Sequence, residues 1–196
     1  MSWNIKTPGI PDEFFFRNEE IPITKEEIRS IIISKLRLHE DYSVIDIGCG
    51  SGSITVELCL QCRNGKVFGI DLDSKAIDLT KTNLEKFKVF AEIIKGDAYD
   101  ILETLPSVDG IVIGGTTGKT GAIIHRSINK LNKGGRLVIT TILIETMFKA
   151  MEALNESHDI KDIDFTQVTI SKGRKTKTGT MMLSRNPILL ISATKI

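Results

Sequence analysis

Residues 44–53 read VIDIGCGSGS. Val44, Ile45 and Ile47 form a short apolar run, and Gly48, Gly50 and Gly52 follow at alternate positions. This pattern predicts a buried β-strand that turns sharply into a helix. Glycine supplies the backbone angles of such a turn, and without a Cβ it lets a ligand approach the main chain closely. A GxGxxG turn would place its third glycine at position 53, where Ser53 stands, so the spacing is GxGxG. Gly48, Cys49, Gly50, Ser51 and Gly52 are therefore candidate ligand contacts.

Outward from this turn, short apolar runs alternate with helical patterns. KVFGID (66–71), AEIIKG (91–96), GIVIG (110–114) and GGRLVITTI (134–142) read as strands, as do DFTQVTIS (164–171) and NPILLISATKI (186–196). Helical spacing falls around 52–62, 73–88, 98–104, 118–132 and 145–156. Strand–helix alternation predicts parallel strands joined by crossover helices, with both sheet faces covered. The last two strands lack an intervening helix, so residues 171–186 are expected to form a long hairpin-like loop between antiparallel neighbours. The fold class is α/β, one domain over 1–196, with seven mostly parallel strands and one reversed. Before it, residues 1–23 are irregular. From Thr24, the spacing to Glu27 is that of a capping box, and Ile28, Ile31, Ile32 and Leu36 share one helical face.

The strand ends carry the next signals. Asp71 ends the second strand, nineteen residues beyond Gly52, where an acid can accept from both hydroxyls of a ribose. Capping the next helix is the alternative, although Asp73 and Ser74 can serve there. KGDAYD (95–100) ends the third strand, and Asp97 can accept from an adenine amino group while the Ala98 N–H donates to a ring nitrogen; Asp97 can equally cap a helix. The fourth strand ends in IGGTTGKTG (113–121). A P-loop needs a glycine five positions before Gly118, and that position is Ile113; Gly114 is one residue too close.

With 196 residues, 41% hydrophobic and 26% charged, the chain has the make-up of a globular domain. No stretch approaches a membrane span and the N-terminus lacks the pattern of a signal peptide, so a cytoplasmic protein is expected. A net charge of +1 argues against a molecule built mainly to hold nucleic acid. Cys59 and Cys62 form a CxxC inside an apolar helical run, with no second pair or nearby histidine, and read as buried thiols; no metal site is expected.

The ordered set of glycine turn, acid after the second strand and Gly-Asp-Ala after the third resembles the Rossmann-like S-adenosylmethionine-dependent methyltransferases, in which GxGxG is the usual turn. Over nearly its full length the chain resembles more closely the cobalt-precorrin-6B C15-methyltransferase (decarboxylating) family of cobalamin biosynthesis. The stretches that carry this are GIPDEFF (9–15), PITKEEIRS (22–30), DIGCGSGSITVE (46–57), GDAYDIL (96–102), IGGTTG (113–118), ILIETMFKAMEAL (142–154) and GTMMLSRNP (179–187). Where the family carries Ser-Gly-Gly-Glu-Leu-like residues, this chain has TTGKT.

The resemblance implies S-adenosylmethionine as cofactor, with Thr24 over its methionine part, Gly48–Gly52 along its methionine and ribose side, Asp71 on the ribose, and Asp97 with Ala98 on the adenine. Residues 1–38 would cover that site. It also implies a tetrapyrrole substrate and a homo-oligomer, a tetramer, for which FFF (14–16) and MML (181–183) are candidate contacts, although either could equally be core. Gly114 and Gly115 would leave room for the substrate, and Lys172, Arg174, Lys175 and Arg185 could pair with its carboxylates. The catalytic acid or base is not identified; His39, His125 and His158 read as surface residues. A tRNA or rRNA methyltransferase on the same fold, its basic loop gripping phosphates, is the alternative reading, and a P-loop-like nucleotide-binding protein a remoter one.

Overall fold

The structure, a computed structural model, describes residues 3–196. Its helices are α1 (Glu26–Leu36), α2 (Ser53–Gln61), α3 (Ser74–Phe87), α4 (Ala98–Thr104), α5 (Thr120–Lys130) and α6 (Ile144–Glu156). Its strands are β1 (Val44–Ile47), β2 (Val67–Asp71), β3 (Glu92–Lys95), β4 (Val108–Ile113), β5 (Leu131–Thr141), β6 (Ile160–Val168), β7 (Ser171–Lys175), β8 (Thr180–Ser184) and β9 (Ile188–Lys195). Seven strands form one sheet in the order β3-β2-β1-β4-β5-β9-β6. The first five are parallel, and β9 runs antiparallel to both β5 and β6. The expected class, seven strands with one reversed, is what forms. No described helix is long and apolar enough to cross a membrane.

The period-two alternation of strand side chains divides the core between two faces. Ile45, Ile47, Phe68, Ile70, Ile111 and Ile139 pack with Leu102, Ile123, Ile124 and Leu154 of α4, α5 and α6. Val44, Val67, Val112 and Val138 pack on the other face with Ile28, Ile32, Leu58 and Leu84 of α1, α2 and α3.

Two expectations are corrected. Residues 171–186 are not a loop: β7 and β8 pair as an antiparallel ribbon, Ser171 opposite Ser184 and Lys175 opposite Thr180. Both strands are largely exposed; with no buried face there is no apolar–polar alternation to read. The capping box at Thr24 does not form either. Lys25 occupies the cap position without a side-chain bond, and Asp12 Oδ1 accepts from the Glu26 N–H at 3.0 Å. Asp12 also lies beside Arg29, so the cap is delivered by the tertiary packing of the preceding segment.

Candidate cofactor and substrate site

Parallel strands place all their carboxyl ends on one edge, and β1 to β4 bring their tips together there. At the β1 tip the glycines do different work. A Cβ on Gly48 would lie 2.7 Å from Gly115 N, and one on Gly52 2.8 Å from Thr80 Cα, so these two let main chain pack on main chain. A Cβ on Gly50 would meet nothing nearer than Pro22 O at 3.7 Å. Gly50 thus faces a cleft.

That cleft is lined by Gly48 and Gly50 from the first tip, Asp71 and Leu72 from the second, Gly96 and Ala98 from the third, and Gly115 and Thr117 from the fourth, with Ile21 and Pro22 from the segment before α1. Asp71 is fixed by two backbone donors: its Oδ2 accepts from Gly50 N at 2.9 Å and its Oδ1 from Asp73 N at 3.0 Å. Asp73, not Asp71, caps α3, accepting from Lys75 N at 2.8 Å. The Asp71 carboxylate therefore remains available at the cleft with lone pairs to spare.

Asp97 stands beside the cleft at the N-cap of α4. Its Oδ1 accepts from Tyr99 N at 2.9 Å, and its Oδ2 accepts from Lys119 Nζ at 2.6 Å. The Lys119 ammonium, assisted by the Tyr99 N–H, holds the Asp97 carboxyl below the usual carboxylate range. Lys119 also sits 5.3 Å over the Tyr99 ring. The Gly-Lys-Thr lysine is thus engaged by the neighbouring loop, an arrangement unlike a lysine reaching for a phosphate.

The other glycine-turn candidates, Cys49 and Ser51, are not among the cleft-lining residues. Cys49 is buried, and burial with the nearby Asp46 pushes its thiol up to about 12. Ser51 is buried and its carbonyl accepts from Asn83 Nδ2 at 2.8 Å. Asn83 also holds Phe16 through both of its main-chain groups, at 2.8 and 3.1 Å, while Thr80 Oγ1 donates to Gly50 O at 3.0 Å. Thr80 and Asn83 thus set the turn's shape, which the sequence reading missed. The available signal was two polar residues on the apolar stripe of α3 formed by Ala76, Ile77, Leu84 and Phe87. Asp46 is fully buried behind the turn; it accepts from Thr55 Oγ1 at 2.6 Å through Oδ2, and its Oδ1 has no partner. Burial, aided by the charge of Asp71, raises its pKa to about 7.

Ile21 and Pro22 are held over the cleft by a buried charge cluster. Arg29, 0% exposed, donates to Asp12 at 2.9 Å and to Glu57 at 2.8 Å, and also to the carbonyls of Ile10 and Thr24. Glu57 in turn accepts from the N–H groups of Gly9 and Ile10, at 2.8 and 3.1 Å. Thr24 thus contributes its carbonyl to this anchor and is not among the cleft-lining residues. Glu20, at the cleft mouth, pairs with Lys75 of α3.

The four candidate cations of the ribbon divide into two pairs. Lys172 binds Glu26 at 2.5 Å and also Glu27, and Arg185 lies 3.5 Å from Glu27, so both dock the ribbon on the first turn of α1. Arg174 and Lys175 are exposed and enter no ion pair among the described residues. Met181, Met182 and Leu183 are exposed on β8, whereas Phe15 of FFF is core and stacks on Phe87 at 4.9 Å.

A glycine-turned β1, an acid at the β2 tip and a cleft across four parallel tips, with an antiparallel β9 inserted between β5 and the edge strand β6, define a Rossmann-like methyltransferase fold. The comparisons make this specific. A family model described as a precorrin methyltransferase domain matches residues 14–195. The chain is 51% identical, over the whole of both sequences, to the probable cobalt-precorrin-6B C(15)-methyltransferase (decarboxylating) of Saccharolobus solfataricus. Among solved structures it resembles precorrin 8W decarboxylase of Methanobacterium thermoautotrophicum, with 36% identity and TM-score 0.89, covering 95% of this chain and 100% of that one. It also resembles precorrin-6y C5,15-methyltransferase of Geobacter metallireducens, with 30% identity and TM-score 0.89, covering 97% of each. The chain belongs to the precorrin methyltransferase family.

Proposed function

We propose that this chain methylates C15 of precorrin-6B or its cobalt form and releases the C12 acetate carboxyl as carbon dioxide, a step of cobalamin biosynthesis. The observation that carries this reading is the 51% identity, end to end, with a protein named for that reaction.

The cleft fits S-adenosylmethionine as methyl donor. Asp71 has acceptor capacity left for ribose hydroxyls after binding two N–H groups. Gly50 offers bare backbone where any side chain would fill the cleft. Leu72 and Ala98 supply apolar surface for a base, and Asp97 an anionic acceptor for its amino group. Residues 3–38, locked by Arg29, would form the roof, with Ile21 and Pro22 facing the cleft and Thr24 towards the methionine end. Bound there, the cofactor supplies an electrophilic methyl group.

What remains for the protein is approach and dryness. The meso carbon of an electron-rich macrocycle is already a nucleophile, so no strong protein base is required. Gly114 and Gly115, both exposed, leave its path to the cleft open. Loss of carbon dioxide leaves an electron pair for which a protonated macrocycle is the sink, and excluding water from the carboxylate favours its departure. The exposed Arg174 and Lys175 would receive other substrate carboxylates.

The same reading includes a homotetramer, in which the exposed Met181, Met182 and Leu183 of the ribbon are covered; light scattering should give four times the chain mass. The reaction itself is tested by mass spectrometry of the tetrapyrrole after incubation with S-adenosylmethionine. One methyl gained and one carbon dioxide lost on the same molecule is the expected product; transfer to RNA or to a tetrapyrrole of unchanged carboxyl count overturns the assignment.

A further inference from the structure

We propose that the macrocycle is seated across the tips of β4 and β5, on bare Gly114–Gly115 backbone and against an apolar shelf of Ile142, Leu143, Ile144 and Phe148. This rests on the tetrapyrrole reading above and specifies which residues recognise the ring.

The first observation concerns the two glycines. Neither has a positive φ. A Cβ on Gly114 would meet Gly48 O at 3.5 Å and Ile47 O at 3.6 Å, and one on Gly115 only Gly48 Cα at 3.9 Å, all ordinary contacts. The fold therefore has no need of glycine at either position, in contrast to Gly48 and Gly52. A need for bare backbone comes from outside the chain, and a broad flat ring lying on the strand tip supplies it.

The second observation is the shelf. Ile142, Leu143, Ile144 and Phe148 are 56–61% exposed, four large apolar side chains within seven residues. They are not the surplus of a packing face, because α6 packs through Ala150, Ala153 and Leu154. Ile144 and Phe148 stand one turn apart on another side of the helix. The shelf is also preformed: Thr141 Oγ1 accepts from Leu143 N at 2.9 Å and donates to Leu143 O at 3.3 Å, fixing the turn from strand into helix.

Strand registers join the two features. Ile47 at the β1 tip pairs with Ile113, and Ile113 with Ile139, so β5 runs two residues past the end of β4. Its tip lies roughly two strand spacings, about 10 Å, from the β1 tip. The order along this edge is glycine turn, glycine floor, apolar shelf. Gly115 belongs to both the cleft and the floor. This continuity, and a floor without side chains, favour a planar ligand over a second copy of the chain.

The test uses the full-length protein with S-adenosylhomocysteine bound and cobyrinic acid, a stable corrin polycarboxylate, as probe, titrated by absorbance. Ile144→Ser/Phe148→Ser should weaken probe binding by about tenfold or more, with S-adenosylhomocysteine affinity and solution mass unchanged. Gly114→Ala should melt no lower than wild type, since alanine fits there, yet weaken the probe several-fold. Probe binding by both variants equal to wild type overturns the seat alone. A lowered solution mass with probe affinity retained overturns it by making the shelf a subunit contact. No probe binding by wild type overturns the tetrapyrrole reading and the seat together.

Discussion

Replacing Arg29 by methionine removes the fully buried cation of this cluster while roughly keeping its volume. Glu57, 1% exposed, would keep two backbone donors but lose its counter-charge, and Asp12 would lose the guanidinium at 2.9 Å, keeping Lys25 at 3.5 Å. Stranding a buried charge in this way costs about 3–5 kcal/mol, a large share of the ~5–15 kcal/mol that holds a typical domain folded. With a urea dependence of about 2 kcal/mol per molar, the midpoint should fall by roughly 1.5–2.5 M. The loss should be greatest in the segment that Arg29 anchors. Trp3, the single tryptophan, contacts Phe14 in that segment with ring centroids 5.6 Å apart, so its fluorescence should change at lower urea than the far-ultraviolet circular dichroism. Ile21 and Pro22 would be released with it, weakening S-adenosylhomocysteine binding. Adding Glu57→Gln removes the stranded charge and should restore part of the loss. A midpoint shift below about 0.5 M, with both probes coincident, would refute the view that this cluster holds the roof of the cleft.

Three further outcomes are expected. Asp71→Ala should weaken S-adenosylhomocysteine binding by about 1.5–3 kcal/mol in calorimetry, the scale of charge-assisted hydrogen bonds; unchanged affinity counts against the cleft. Gly50→Val should fold, at a cost of about 2 kcal/mol for its left-handed backbone, yet bind the nucleoside poorly, whereas Gly48→Ala, forced 2.7 Å from Gly115 N, should lose thermal stability outright; the reverse ranking would show the turn has been misread. Asp46 has a folded pKa raised to about 7 from 3.8, so the native state holds a proton that the unfolded state releases, and stability falls as pH rises from about 4 to 7. Asp46→Asn lacks that loss, and its stability relative to wild type should rise by about 3 kcal/mol between pH 5 and 8 in urea titrations; a constant offset would contradict the burial argument.

The parallel part of the sheet was legible because each of its strands is a compact apolar run beside a helix with a clear stripe. Asp71 and the glycine turn could be read from spacing alone. The ribbon could not, since β7 and β8 pair only with each other and bury neither face. The true cap of α1 was hidden because Asp12 lies fourteen residues before Glu26, a distance no local rule spans. Thr80 and Asn83 were visible as polar interruptions of the α3 stripe, but their partners, the carbonyls of Gly50 and Ser51, are tertiary. Likewise, nothing local joins Lys119 to Asp97, twenty-two residues apart; the adjacent β4–α5 and β3–α4 connections bring them together at the same end of the sheet.

In the proposed complex the tips of β1, β2 and β3 hold the adenosyl group with its reactive end towards Gly114 and Gly115. A crystal structure with S-adenosylhomocysteine decides this. The expected complex has the ribose hydroxyls on Asp71, the adenine beside Leu72 and Ala98, and the sulfur facing the β4 tip. Density for the nucleoside at any other place on the molecule would contradict it.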